Sequence, residues 1–303
     1  MAEKYLGIDV GGTEIKYALM TEEEFLEKGY IPTPKESMEA FIEAIGQIYD
    51  QYADQTKVIV MSAPGRIDAQ TGFFYSGGAL SAFLTNVNAA ELIKQRCGIE
   101  EVAIENDGKA AGLAEVWKGS LKGVRNGAVI GIGTGIAGAV VIDGKLHRGS
   151  HFSAGEFSLL DANYQGFYLQ NLWALRGCTP NLVATYATRK MEDPSTINGR
   201  VFFERLQNGD QTAKEVLDEF CAEFVNGILT LQAVLDADRY CIGGGISQQP
   251  VLIETLNRKI DEIYAITGNA IPVIKPEVVA CTFHNDANLI GALYHYLYEL
   301  KQQ

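Results

Sequence analysis

The chain opens with an apolar run, Tyr5-Leu6-Gly7-Ile8-Asp9-Val10, of the kind carried by a strand buried on both faces. A Gly-Gly turn follows, and the pattern then predicts strands near Ile15 to Met20 and Phe25 to Ile31. Behind Ser37, a good helix cap, Met38, Phe41, Ile42, Ile45 and Ile48 recur at helical spacing. The β-branched stretch Val58 to Met61 predicts a strand, Asn88 caps a helix that stops at Gly98, and Glu101 to Ile104 is a further strand. The order is three strands, helix, strand, helix, strand.

That order returns in the second half. Gly127 to Ile132 is an apolar strand ending in glycines, and Gly138 to Ile142 is a strand that turns at Asp143-Gly144 into Leu146. Helices follow, the clearest from about Ala213 to Leu235, then a strand at Tyr240 to Ile242, a helix near Val251 to Tyr264, a strand at Val278 to Cys281 and a last helix from Asp286. The copies align at their glycine turns, with Gly7 of the first against Gly131 of the second. The repeat predicts an α/β protein of two actin-like (ribonuclease H-like) lobes facing each other across a cleft. Residues 1–106 with 285–303 form the expected N-terminal lobe and residues 107–284 the C-terminal lobe.

Charge narrows the partners. Against 25 Lys and Arg stand 38 Asp and Glu, a formal charge of −13 with a pI near 4.8, which disfavours nucleic acid as a partner. No apolar run reaches the roughly 18 residues of a membrane span, and Met1-Ala2-Glu3-Lys4 does not read as a signal peptide. The cysteines Cys97, Cys178, Cys221, Cys241 and Cys281 are scattered without CxxC spacing, as reduced thiols in a cytoplasmic protein are.

Glycine supplies the candidate chemistry. In Asp9-Val10-Gly11-Gly12-Thr13-Glu14-Ile15-Lys16 a tight turn can bring backbone N–H groups to a phosphate, with a hydroxyl and an ammonium beyond and an Asp able to hold Mg²⁺ through water; a plain hairpin is the alternative. Gly133-Thr134-Gly135-Ile136-Ala137-Gly138 has the GxGxxG spacing of a dinucleotide fold. That motif must open a helix, whereas the residues that follow here form a β-branched run, so a second phosphate-facing turn fits better. Gly243-Gly244-Gly245 between strand and helix can admit a flat base. Glu105-Asn106-Asp107 ends a strand and starts a helix, where Asp107 is either a helix cap or a general base.

Taken in order, these motifs resemble the ROK family of sugar kinases and repressors. The marks are Asp9 to Lys16, Pro64-Gly65, Glu105-Asn106-Asp107, Gly133-Thr134-Gly135, Ala154-Gly155-Glu156, the glycines 243 to 245, and Asp286 to Ala292. The resemblance implies ATP and Mg²⁺ as cofactors and a small-molecule sugar as substrate. Asp107 would be the base, and Gly65, Asn106 and Glu156 would hold the sugar. Asp9, Gly11, Gly12, Thr13, Lys16, Gly133, Thr134 and Gly135 would surround the phosphates and Mg²⁺, and Gly244 and Gly245 would border the adenosine. The residues where many members carry Gly-His are Ser158 and Leu159, and the Cys-rich zinc motif is absent, so no structural zinc is expected. Lys109 stands where the family has Asn; a cation there either lowers the pKa of Asp107 or points to solvent, and a helix-surface lysine is the commoner case.

Non-zinc members of this kind include β-glucoside kinases, which is the substrate expected here, with O6 of a hexose or hexoside as the acceptor. N-acetylmannosamine kinase and glucokinase or fructokinase are the alternatives. A sugar-sensing regulator without a DNA-binding domain is the rival from another class, and a homodimer is expected from the family alone.

Overall fold

In the computed structural model, which describes residues 2–161, 168–270 and 272–301, the chain packs as two compact units. The first comprises Met1–Trp117, Arg148–Ala154 and Asp286–Gln303; the second comprises Lys118–His147 and Gly155–Asn285.

In the first unit, β1 (Tyr5–Val10), β2 (Glu14–Met20) and β3 (Phe25–Pro32) form successive antiparallel hairpins, with Asp9 opposite Lys16. The Ser37 hydroxyl accepts from Ala40 N at 3.2 Å and caps α1 (Met38–Asp50). β4 (Val58–Ala63) lies parallel to β1. After it come three very short strands, β5 (Arg66–Asp68), β6 (Phe73–Ser76) and β7 (Val87–Asn88), which make a separate small sheet that the apolar pattern does not predict. α2 (Ala89–Cys97) is capped by Asn88 and ends on Gly98 at φ +65°, and β8 (Glu101–Asn106) returns parallel to β4. α3 (Asp107–Lys118) follows directly, and α9 (Ala287–Tyr294) comes back to this unit from the far end of the chain, continued by a widened turn over His295–Leu300.

Both faces of β1 are covered, which is why its run is continuously apolar. Leu6, Ile8 and Val10 cluster with Phe41 and Ile45 of α1 and Ile93 of α2, while Tyr5 joins Val58, Val60, Leu289, Leu293 and Tyr296 on the other face. Gly291 lets α9 close on α3, since a Cβ there would sit 1.7 Å from the Ala110 carbonyl oxygen. Of the three tyrosines at the end of the chain, Tyr294 and Tyr298 flank Trp117, and Tyr296 turns away to Tyr5 at 5.9 Å, so they wrap the helix and serve packing.

The second unit repeats the plan with β9 (Gly127–Ile132), β10 (Ile136–Ile142) and β11 (Lys145–His147), then β12 (Arg239–Gly243) and β13 (Glu277–Ala280). Its strand order β11-β10-β9-β12-β13 matches β3-β2-β1-β4-β8 of the first unit one for one, hairpins antiparallel and the remaining pairs parallel. The helices between β11 and β12 are α4 (Trp173–Arg176), α5 (Thr179–Lys190), α6 (Gly199–Gln207) and α7 (Gln211–Leu235); α8 (Pro250–Thr267) joins β12 to β13. Ile130 and Ile132 meet Leu182, Phe202, Phe224, Ile228 and Leu256 in one core cluster. Cys178, Cys221, Cys241 and Cys281 are buried, and burial pushes the Cys221 thiol up to about 12. Among the described residues no helix is long and apolar enough to cross a membrane.

Candidate active site

Parallel strands bring their C-terminal ends to one edge of the sheet, and in the first unit that edge gathers the chemistry. The register sets Asp9 beside Ser62, and Ala63 beside Asn106, so the ends of β1, β4 and β8 stand in a row. Asp9 is buried, its Oδ1 accepting from Ser62 Oγ at 2.7 Å and from Asn288 Nδ2 at 2.9 Å. Burial pushes its carboxyl above the usual carboxylate range, against those two hydrogen bonds and the positive charge of Lys16. Neither Ser62 nor Asn288 is singled out by sequence reasoning; Asn288 lies in the Asp286 to Ala292 motif, and the pairing spans almost the whole chain.

The turn after β1 is tied from both sides. Gly11 N–H donates to Glu14 O at 3.0 Å, so this N–H closes the hairpin, and a Cβ on Gly11 would lie 2.9 Å from that same oxygen. Thr33 adds its hydroxyl to Gly11 O at 2.7 Å and its N–H to Thr13 O at 2.9 Å. Gly12 and Thr13 form the tip, and Lys16 follows on β2, partly exposed, 3.6 Å from Glu14.

At the β8–α3 junction the helix cap is Asn106, whose Oδ1 accepts from Lys109 N at 3.1 Å. Asp107 is therefore the first helical residue and not the cap. Its Oδ1 accepts from Gly108 N at 2.7 Å and Asn106 Nδ2 at 3.0 Å, which orient a partly exposed carboxylate. Asn106 Nδ2 also donates to Gly65 O at 2.9 Å. Gly65 sits at φ +113°, where a Cβ would lie 2.1 Å from Ser76 O, so the Pro64-Gly65 loop requires glycine. Gly65, Asn106 and Asp107 thus form one hydrogen-bonded group.

Lys109 departs from expectation. It is 1% exposed, with Nζ 3.5 Å from Asn106 Oδ1, so it is a buried residue behind the junction and not a helix-surface lysine. Nearby, Glu105 is fully buried between the Asn106 N–H, at 2.7 Å from Oε1, and the Arg148 guanidinium, whose Nε and Nη2 reach Oε2 at 2.8 and 2.6 Å. Arg148 also pairs with Glu299, and His295 joins Glu299 at 2.6 Å to Ala69 O at 2.8 Å. Glu105, His295 and Glu299 are close enough together to hold a metal ion, but the Arg148 guanidinium already supplies the cation they would bind. Of the other histidines, His147 ends β11 and His151 lies in a turn, and both are exposed, as is His284.

In the second unit Gly133 N–H donates to Gly135 O at 3.0 Å across the β9–β10 turn, and Thr179 N–H, at the start of α5, reaches Gly133 O at 3.0 Å. This turn opens on a pocket of about 1400 Å³ lined by Gly133, Thr134, Thr179, Arg200, Phe203 and Gly245 among others. Gly245 has open space above it, while Gly244 at φ +89° lies under Ile132 O, where a Cβ would come within 2.1 Å. Gly135 and Gly244 therefore shape the backbone, and Gly133, Thr134 and Gly245 line the space. Glu156 is exposed at the head of the short 3₁₀ turn Phe157–Leu159, held by Gly155 at φ +88°, and Leu159 is 64% exposed.

Comparison with known proteins identifies the family and the fold. The chain is 32% identical to a β-glucoside kinase of Listeria innocua, covering 98% of both chains, and 28% identical to a β-glucoside kinase of Klebsiella pneumoniae, covering 97% of this chain and 96% of that one. Among solved structures, a ROK family protein of Streptococcus pneumoniae in complex with sucrose superposes with a TM-score of 0.86 at 29% identity, over 99% of this chain and 100% of that one. The fold is the actin-like one of the ROK sugar kinases. The model of the ROK family matches residues 5–298, from the first strand into the widened turn that continues α9, and the chain belongs to that family.

Proposed function

We propose that this chain is an ATP-dependent sugar kinase that phosphorylates O6 of a hexose or hexoside, with a β-glucoside as its substrate. The observation that carries the reading is the hydrogen-bonded group Gly65–Asn106–Asp107 at the same sheet edge as Asp9 and the Gly11-Gly12-Thr13 turn. Asp107 accepts the proton of the sugar hydroxyl as that oxygen attacks the γ-phosphorus of ATP. The bond from phosphorus to the bridging oxygen breaks, and ADP leaves with the electron pair. Asn106 and the Gly65 loop hold sugar hydroxyls, and Glu156 is the further sugar-holding residue that the family resemblance implies. The Gly133-Thr134-Gly135 turn takes the phosphates, and the pocket beside Gly245 takes the adenosine. Phosphoryl transfer asks for this kind of positioning more than for covalent catalysis.

Asp9 fits the requirement for Mg²⁺, which takes one or two protein carboxylates and fills its remaining positions with water and phosphate oxygens. A carboxylate whose ionisation burial opposes gains from a cation beside it. Bound there, Mg²⁺ would neutralise phosphate charge. The relatives named β-glucoside kinase, and the disaccharide in the pneumococcal neighbour, favour a glycoside over a free hexose.

The test is ADP release with ATP and Mg²⁺ across hexoses, N-acetylhexosamines and β-glucosides. Asp107→Asn is expected to lose at least about 10²-fold in kcat while still binding sugar. Turnover on no sugar, or near-normal turnover by the variant, contradicts the assignment.

A further inference from the structure

Beside the Gly65 loop lies an aromatic patch that the kinase chemistry does not use. β5 and β6 begin and end at that loop: Arg66 follows Gly65, and Tyr75 precedes Ser76, whose carbonyl oxygen presses on Gly65. Alternation along β6 buries Phe74 completely and turns Phe73 and Tyr75 to the opposite face, where both remain half-buried and meet edge to face at 5.1 Å. The Arg66 guanidinium lies 4.4 Å from the Tyr75 ring centre. Phe152, from the segment Arg148–Ala154, stacks on Tyr75 with centroids 6.1 Å apart and planes 21° apart.

Phe152 holds this place against its own backbone preference. Its φ is +60°, a region that bulky residues avoid, and such outliers persist only where the surroundings over-determine them. Here the surroundings are visible. Arg148 anchors the segment's start through Glu105 and Glu299, Gly149 turns at φ +74°, and Ala154 N–H closes the loop on Arg148 O at 3.1 Å. The same Glu105 accepts from the Asn106 N–H, so one ion-paired network fixes both the sugar-holding junction and the ring.

We infer that Phe152 and Tyr75 form a stacking subsite for the ring attached at C1 of a β-glucoside, one step beyond the glucose unit held at Gly65, Asn106 and Asp107. This rests on the sugar-kinase reading above. A pyranose presents a C–H face and an aryl group a π face, and either buries flat apolar area on an aromatic ring. A free hexose has no group to place there. The subsite therefore acts on selectivity between glycosides and glucose and not on the phosphoryl transfer itself.

The experiment measures kcat/KM for cellobiose, phenyl β-D-glucoside and glucose, together with their dissociation constants by calorimetry without ATP. Phe152→Gly keeps the left-handed backbone and removes the ring, and Phe152→Tyr keeps the ring. The glycoside-to-glucose ratio is expected to fall about tenfold in Phe152→Gly, in both kcat/KM and affinity, and to survive in Phe152→Tyr. Tyr75→Leu, which removes the stacked neighbour, is expected to lower the ratio in the same direction. A ratio unchanged in Phe152→Gly, or a wild-type protein that prefers glucose, overturns the subsite. Absence of turnover on every sugar rejects the kinase reading and leaves the calorimetric ratio to decide the subsite; binding of none of the three overturns both.

Discussion

Arg148→Met tests the network behind the β8–α3 junction. The arginine side chain is 20% exposed and donates to Glu105, whose side chain is wholly buried, through Nε and Nη2 at 2.8 and 2.6 Å. Methionine fills similar volume but leaves Glu105 with the Asn106 N–H as its remaining donor among the described hydrogen bonds. Stranding a buried charge costs about 3–5 kcal/mol, and the partial exposure of Arg148, which lets water in, puts the loss near ~3 kcal/mol. At roughly 2–4 °C per kcal/mol, Tm falls by about 6–12 °C. Adding Glu105→Gln removes the stranded charge, so the double variant is expected to recover at least about half of the loss, a coupling of roughly 1.5 kcal/mol or more. Thermal unfolding by circular dichroism at pH 7.5 measures both. A shift below about 2 °C in the single variant, or no recovery in the double one, refutes the reasoning.

Other outcomes follow from the same geometry. Gly65→Ala would place a methyl 2.1 Å from Ser76 O at φ +113°; unfolding is expected to move down by several degrees and the KM for sugar to rise, both measurable on one preparation. Asp9→Asn has an opposite sign for stability and activity. Burial raises the folded-state pKa of Asp9, so its charged form weakens the fold at neutral pH, and asparagine, still able to accept from Ser62 and Asn288, is expected to raise Tm slightly while ATP turnover falls by at least about 10²-fold. A lower Tm in that variant contradicts the burial argument. For Glu299, burial raises the carboxyl pKa but the hydrogen bonds from His295 and Arg148 outweigh it, and the net direction is down. Its stabilisation is present above the unfolded carboxyl pKa of roughly 4.3 and is lost as pH falls through the lower folded value, so Glu299→Gln is expected to flatten part of the acid limb of Tm against pH.

The turns were legible because glycine does there what no other residue does. Gly65 and Gly244 each stand where a Cβ would strike backbone, and the duplicated strand order follows from aligning the glycine turns after Gly7 and Gly131. The long elements were legible from period and caps, as at Ser37 and Asn88. Strands of two to four residues, β5 to β7, carry too few positions to show a period, and the sheet holding Phe73 and Tyr75 went unseen. Lys109 reads as surface from its charge alone, whereas its side chain is buried with Nζ beside Asn106 Oδ1. The Glu105–Arg148–Glu299–His295 network and the Asp9–Asn288 bond join distant segments, and no local pattern announces such pairs.

The return of α9 to the first unit has a consequence for how the molecule is made. Asn288, which holds Asp9, lies 279 residues further along the chain, and at the usual 5–20 residues per second the ribosome needs roughly 15–55 s to supply it. Throughout that interval β1 and β4 lack Leu289 and Leu293 on one face, and Glu105 lacks Glu299 as co-partner of Arg148. The second unit, whose strands and helices are complete by Asn285, emerges whole before the first can close. A nascent chain stopped short of residue 286 therefore carries a finished second unit and a first unit in which Asp9 still lacks its bond from Asn288.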